Sequence, residues 1–376
     1  MMNLSNLIPP GKTIGIIGGG QLGRMLTLAA KEMGYFVGIL DPEKNCPAAQ
    51  VADWQIVAKF NDYTALQELA FRTDVVTYEF ENVDVDAISK IEHLVSLPQG
   101  SELLSITQDR LLEKAYLEEN NINIAPYATI IDLNDISASL DGIGFPCVLK
   151  TIRGGYDGKG QVVLYSEEDI PKCEVLLKTG ICVLEAWIPF ERECSVMVAR
   201  NEAGEIRVFP VVENLHRNNI LHETIAPARV SNEISEEVER VATVIAKKLN
   251  LIGVLGIEMF LTSSGSLYVN ELAPRPHNSG HYSIEACSFS QFDLHIRAIC
   301  GWPLPEVKLL SKAVMVNILG EHIEDSLFQI LFKPEWHFHY YGKSLARLGR
   351  KMGHITILTE NIERTLETIE DTGIWE

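Results

Sequence analysis

With 376 residues, 46% of them hydrophobic and 22% charged, the sequence is long enough for two or three cores and lacks the composition of a disordered or collagen-like chain. Thirty-two basic against fifty-one acidic residues give a net charge of −19, which speaks against a nucleic-acid partner or an anionic membrane surface and leaves room only for small anions where cations gather locally. The seven cysteines are odd in number and never spaced C-x-x-C, a pattern of buried thiols in a reducing cytoplasm, and no signal peptide or membrane-length apolar run is read.

From Thr13 to about Ser96, short β-branched runs (TIGIIG, FVGILD, VVTYEF, LVSLP) alternate with helical stretches, predicting βαβ units on a parallel sheet. Gly18, Gly20 and Gly23 fit GxGxxG after the first strand, and Asp41 ends the next. Three readings stay open for this loop: a tight turn without a ligand, a dinucleotide site, or a site for another phosphorylated substrate. Glu79, Glu81 and Asn82 close a later parallel strand, where they can meet a polar substrate or cap the next loop. Ser105 to Asn121 predicts a helix opened by a Ser105/Gln108 capping box, with Arg110 and Lys114 on one face.

Beyond Pro146 the pattern becomes α+β, with antiparallel hairpins. Lys150 ends the strand PCVLK, and the loop RGGYDGKG places Gly154, Gly155, Gly158, Lys159 and Gly160 on a hairpin tip that suits a flap over a triphosphate; a plain flexible turn is the alternative, and the common P-loop pattern is absent. The strands ICVLEAWI, ECSVMVARN and IRVFPVVENLH and a helix at 233–249 lead to GIEMFLTSSGSLYVNEL. A two-residue turn at Ser264 and Gly265 sets Glu258 opposite Glu271, an unfavourable pair unless a cation lies between them, and magnesium fits; two exposed glutamates in a register shifted by one are the alternative. Met259 and Asn270 form the next pair, so Asn270 reaches the same ion only through a bend or bulge. The prolines of LAPRPHNSGHYS then carry Arg275, His277, Asn278 and Ser279 off the strand as anion donors, with a metal-ligand role the alternative for His277. In the tail, AVMVNILG, WHFHYYG and HITILT predict a small β-rich domain, and Lys343, Arg347, Arg350 and Lys351 form a local cationic patch suited to one phosphate or, as the alternative, a solvated face.

The motifs GGGQLGRM, TYEFENV, QDR, GGYDGKGQ, NELAPRPHNSGHYSIEAC, QF and KMGH resemble, over nearly the full chain, those of the ATP-grasp ligases and within them the 5-(carboxyamino)imidazole ribonucleotide synthases. The resemblance implies an ATP-grasp fold with a Rossmann-like N-terminal domain (1–104), an ATP-grasp domain (105–305, its flap subdomain at about 125–190) and a C-terminal β-rich domain (306–376). It implies a homodimer that uses ATP and Mg²⁺ to join bicarbonate to the amine of aminoimidazole ribonucleotide through carboxyphosphate.

By the same resemblance, Arg110, Lys150 and the flap from Gly155 through Tyr156, Asp157, Gly158, Lys159 and Gly160 to Gln161 hold the ATP phosphates. Glu185, Ala186, Trp187 and Ile188 form the adenine strand, with main-chain bonds from Ala186 and Ile188; Glu193 takes the ribose and His216 lies near the nucleotide. Asn270 and Glu271 complete that site, and Glu258, Glu271 and Asn270 are the metal set. Tyr156, Asp157 and Lys159 also face the ribonucleotide, with Glu79, Glu81 and Asn82. Its phosphate meets Lys343, Arg350, Lys351 and the first glycine loop at Gly20, Gln21 and Leu22. Arg275, His277 and Asn278, beside Ser279, hold bicarbonate. Lys159 stands where many members carry Arg, which exchanges a bidentate contact for a point charge. Rival readings are a formate-using transformylase or a biotin carboxylase, an NAD-linked dehydrogenase built on GxGxxG and Asp41, and a silent nucleotide sensor.

Overall fold

The computed structural model describes residues 7–155 and 158–375, and its strands form three sheets that succeed one another along the chain. The first is parallel, with β1 (Thr13–Ile17), β2 (Phe36–Leu40), β3 (Trp54–Ile56) and β4 (Val75–Tyr78) in the order β3-β2-β1-β4. Its strands β1, β2 and β4 are mostly apolar because both faces are covered. Ile14, Ile16, Val37 and Ile39 pack against helices Gln21–Glu32 and Gln291–Ile299, while Ile17, Leu40, Val76 and Tyr78 pack against helices Tyr63–Phe71 and Val85–Ile91.

The second sheet is antiparallel: β5 (Tyr127–Ile130), β6 (Cys147–Thr151), β7 (Gln161–Leu164) and β8 (Cys182–Ala186), ordered β5-β8-β6-β7. Its β6–β7 hairpin pairs Lys150 with Gln161 and carries the second glycine loop at its tip. The third sheet has nine strands: β9 (Phe190–Arg200), β10 (Ile206–Val208), β11 (Val212–Arg217), β12 (Ile220–Ala226), β13 (Gly253–Thr262), β14 (Leu267–Ala273), β15 (Lys312–Leu319), β16 (His337–Tyr340) and β17 (Lys351–Thr359). Its order is β14-β13-β9-β11-β12-β15-β17-β16, with β10 beside β9. Helix Asn232–Lys248 covers part of it, burying Val238, Val241, Ala242 and Ile245 against Val196, Leu255 and Ile257. The C-terminal strands have their own apolar cluster under helix Ile362–Glu370, yet they join the central sheet through β15, which pairs with β12 from Ala313 to Val316.

Several local expectations change. The helix expected over Ser105–Asn121 is two helices, Ser101–Thr107 and Arg110–Glu119, and the cap is Asp109, whose Oδ1 accepts from the Leu111 N–H at 3.1 Å, rather than Ser105. LVSLP contributes only one bridge, Ser96 to Val75, and the third parallel strand is WQI, which has too few residues to show a pattern. IRVFPVVENLH divides into β10 and β11 around Pro210, which has no N–H for a ladder. Strand β12 was not anticipated; its signal is the Asn218–Asn219 pair at φ 51° and 62°, a two-residue turn with both centres left-handed.

Candidate active site

The first glycine loop follows β1 as expected, but the amides of Gly19, Gly20 and Gly23 are already occupied. Asp41 accepts the Gly19 N–H at 2.7 Å, and Glu79 accepts those of Gly20 and Gly23 at 2.7 and 3.0 Å. The glycines make room for these acids: a Cβ on Gly18, at φ +103°, would lie 2.5 Å from the Glu79 Cγ. Burial raises the Glu79 carboxyl to about 7 in spite of the two amide bonds. The Gly20 amide is therefore not open to a ligand phosphate, a correction to the expected contact, although Gln21, Leu22, Glu79 and Glu81 border the main cleft. The other oxygen of Asp41 takes the Glu43 N–H at 2.7 Å, so Asp41 is engaged by the protein's own backbone at both oxygens, which weakens the dinucleotide reading.

Glu258 and Glu271 are paired across β13 and β14 by a route different from the expected one. The turn has three residues between Thr262 and Ser266, with Gly265 at φ +82°, not two. That register pairs Met259 with Val269, and a bulge at Asn270 restores the Glu258–Glu271 pair. The two departures cancel. The bulge also brings Asn270 and Glu271, adjacent in sequence, to the same cleft, where Asn270 Oδ1 is buried without a hydrogen-bond partner among the described residues. Burial and then the facing Glu271 push Glu258 up to about 7. Two carboxylates and an orphaned amide oxygen form a hard-oxygen set that fits magnesium.

Behind this set, Lys150 on β6 reaches Glu185 on β8 at 3.0 Å, and Lys114 reaches the same oxygen at 3.3 Å. Burial would raise Glu185, but the two lysines outweigh it and hold the carboxyl down to about 2. Lys114 has no site role in the sequence reading; here it is buried beneath Glu185, and burial lowers its pKa. Glu185 Oε1 is buried and has no partner among the described residues. Arg110 places Nη1 and Nη2 each 3.4 Å from Glu271 Oε2, and Nη2 3.5 Å from the Gly155 carbonyl. Ala186 donates its N–H to Pro126 O at 2.9 Å, which leaves its carbonyl as the main-chain group for a ligand; Ala186, Trp187 and Ile188 line the cleft. Gly155, Gly158, Lys159, Gly160 and Gln161 border it as well, whereas Tyr156 and Asp157 lie outside the described residues. His216 Nδ1 lies 3.2 Å from Glu193 Oε2; burial disfavours its charge, but Glu193 outweighs burial and raises its pKa.

Past β14 the chain leaves the sheet at Pro274 and Pro276. Arg275 Nε donates to Glu81 Oε2 at 2.5 Å, and His277 Nε2 lies 3.3 Å from Glu258 Oε1. Gly256 lets this ring lie on β13, since a Cβ there would be 2.7 Å from that of His277. Burial, then Arg275, push the imidazole well below its usual range. Two donors assigned from sequence are engaged elsewhere. Ser279 is fully buried behind His277 and absent from the cleft wall, and Asn278 borders the cleft but commits its amide to Asn317 through bonds of 3.0 and 2.8 Å. Gln291 has no role in the sequence reading beyond the motif QF. It brackets the loop, accepting the His277 N–H at 2.8 Å and donating to the His277 carbonyl at 2.7 Å.

Lys343, Arg347, Arg350 and Lys351 border the same cavity of about 1480 Å³. Burial, then the neighbouring Arg350, lower Lys343 to about 8, and its Nζ donates to the Lys351 carbonyl at 2.5 Å. Asn82 stands apart, on a small side cavity beside Arg110 and Gly154.

Comparison with known proteins accords with this geometry. Residues 115–292 match the ATP-grasp domain, 11–108 the ribonucleotide synthetase preATP-grasp domain and 313–368 the phosphoribosylaminoimidazole carboxylase C-terminal domain. Fold and cleft together define an ATP-grasp ligase. The chain is 47% identical over 369 residues to the N5-carboxyaminoimidazole ribonucleotide synthase of Bacillus subtilis (strain 168), covering 98% of this chain and 97% of the relative. It superimposes on the ADP complex of an N5-carboxyaminoimidazole ribonucleotide synthetase with a TM-score of 0.97 at 53% identity, over 99% and 98% of the two chains. The enzyme of Aspergillus clavatus with ADP and 5-aminoimidazole ribonucleotide gives a TM-score of 0.90 at 31% identity, over 96% and 97%. The chain belongs to the N5-carboxyaminoimidazole ribonucleotide synthases, ATP-dependent ligases of purine biosynthesis. Among the described residues no helix is long and apolar enough to cross a membrane.

Proposed function

We propose that the cleft takes ATP, bicarbonate and 5-aminoimidazole ribonucleotide together and joins the last two as the carbamate, releasing ADP and phosphate. The observation that carries this reading is the single cavity bordered at once by Lys150 and the flap glycines, the oxygen set of Glu258, Asn270 and Glu271, and the cations Lys343, Arg350 and Lys351. Glu185 Oε1, an acceptor buried without a partner, supports an adenine amine at that end, and Glu193 is within reach of a ribose. Glu258, Glu271 and Asn270 would hold a magnesium ion, which supplies positive charge to the phosphate oxygens.

A bicarbonate oxygen attacks the γ-phosphorus and the bond to the ADP oxygen breaks, giving carboxyphosphate. The substrate amine then attacks the carboxyl carbon, phosphate leaves and the nitrogen gives up a proton. Lys150 and the flap amides align and neutralise the transferring group, and Arg275, held by Glu81, faces the bicarbonate. Lys343, Arg350 and Lys351 take the ribonucleotide phosphate. We also infer a cytoplasmic homodimer, and a division of the chain near residues 104 and 305.

Incubation with ATP, bicarbonate and 5-aminoimidazole ribonucleotide should release phosphate, whereas dependence on formate or biotin would overturn the reading. Glu271→Gln should reduce magnesium-dependent ATP cleavage by about 10²- to 10³-fold and remove the protection that magnesium gives against unfolding; near-normal values of either would remove Glu271 from the metal set.

A further inference from the structure

The hydrogen bonds behind His277 have only one consistent direction. The Ser279 backbone N–H lies 3.3 Å from His277 Nδ1, and a backbone amide can only donate, so Nδ1 carries a lone pair and the neutral ring bears its hydrogen on Nε2. Ser279 Oγ, 2.8 Å from the same nitrogen, then spends its one hydrogen there. Ser195 Oγ, 2.7 Å from Ser279 Oγ, must donate to it, and Asn214 Nδ2 donates to Ser195 Oγ at 2.9 Å. Thr224 Oγ1 completes the series by donating to Asn214 Oδ1 at 3.1 Å. Ser195, Thr224 and Ser279 are fully buried and Asn214 is nearly so, which shields the series from exchange with solvent. At the other end, Nε2 lies 3.3 Å from Glu258 Oε1 at the cleft, and Glu258 is paired with Ser195 of β9.

We propose that Ser279 and Ser195 are positioning residues that fix His277 as its Nε2–H tautomer, so that the ring offers the cleft a hydrogen-bond donor and not a base. The tautomer follows from the hydrogen-bond geometry alone; its use on a bicarbonate or phosphoryl oxygen rests on the carboxylation proposed above. His277 thereby steadies negative charge without taking the proton that the amine releases, which must leave by another acceptor.

The test is long-range proton–nitrogen NMR on the full-length, ligand-free protein labelled with ¹⁵N-histidine, with His277→Gln to assign the ring. The expected pattern is a protonated Nε2 and a bare Nδ1; a protonated Nδ1, or signals averaged between tautomers, would overturn the proposal. Ser279→Ala should move the ring toward mixed tautomers and lower kcat roughly tenfold with KM for ATP unchanged, and Ser279→Thr should restore both. Ser195→Ala, which leaves the Ser279 hydroxyl in place, should show a smaller change of the same kind and serves if Ser279→Ala does not fold. Folded variants with unaltered tautomer and kcat would overturn the positioning role. Wild-type protein that shows the expected tautomer but releases no phosphate with bicarbonate and the ribonucleotide would sink the functional reading while leaving the tautomer in place.

Discussion

The two glycine loops look alike in sequence and do opposite work. In the first, the amides of Gly19, Gly20 and Gly23 face inward and are filled by Asp41 and Glu79, so the glycines serve packing. In the second, Gly155, Gly158 and Gly160 border the cleft beside Lys150; a Cβ on Gly158 or Gly160 would crowd Asn219 or Thr151 at 2.7 Å, whereas one on Gly154 would meet nothing within 4 Å. A glycine-rich turn after a strand shows that something must come close to the backbone. It does not show whether that is a ligand or the protein's own carboxylate, and the decision lies with acids 22 and 59 residues away.

That contrast can be broken most sharply by substitution. Gly18→Ala combines a left-handed backbone with a 2.5 Å overlap on Glu79 and should destabilise the protein by about 3 kcal/mol or more, read as a large fall in the unfolding midpoint; Gly154→Ala, strained in backbone only, should cost about 1 kcal/mol. Equal losses would mean that both loops are packing devices. Lys150→Ala should leave folding nearly intact and lower kcat/KM for ATP by about 10²-fold, whereas a loss confined to stability would move Lys150 from the chemistry to the support of Glu185.

A subtler comparison uses pH. Glu79 has its carboxyl raised from 4.5 to about 7 by burial, so between those values the folded state holds a proton that the unfolded chain releases. Stability should therefore fall as pH rises through that window and level off above it, with a contribution of up to about 1.4 kcal/mol per pH unit. Denaturant titrations across the window should show this slope, and Glu79→Gln should remove it. An unchanged slope in the variant would mean that Glu79 is charged throughout.

Much of the site was legible because its chemistry is written in short stretches. The flap and the RPHNSGH loop each occupy a few consecutive residues and the acid pair lies within one hairpin, so polar types at a strand end carry their meaning locally. The acid pair was read correctly through a wrong register, since a two-residue turn without a bulge and a three-residue turn with one give the same facing pair. What sequence did not disclose is where each polar group finds its partner. Asn278 is an available donor until Asn317 arrives from β15, and Ser279 faces a substrate until Ser195 arrives from β9. Gln291 and Lys114 were passed over for the same reason, because their partners come from distant elements. Strand β3 was missed because three residues carry no periodicity.

The joining of β15 to β12 has one further consequence. The oxygen set on β13 and β14 and Lys351 at the start of β17 belong to a single hydrogen-bonded sheet, so their separation is a fixed length of the molecule, not the outcome of two bodies docking. For the substrate proposed above, that sheet acts as a ruler laid between the amine and the phosphate. An analogue stretched by one methylene between those ends would have to release one of them, whatever the quality of its individual contacts.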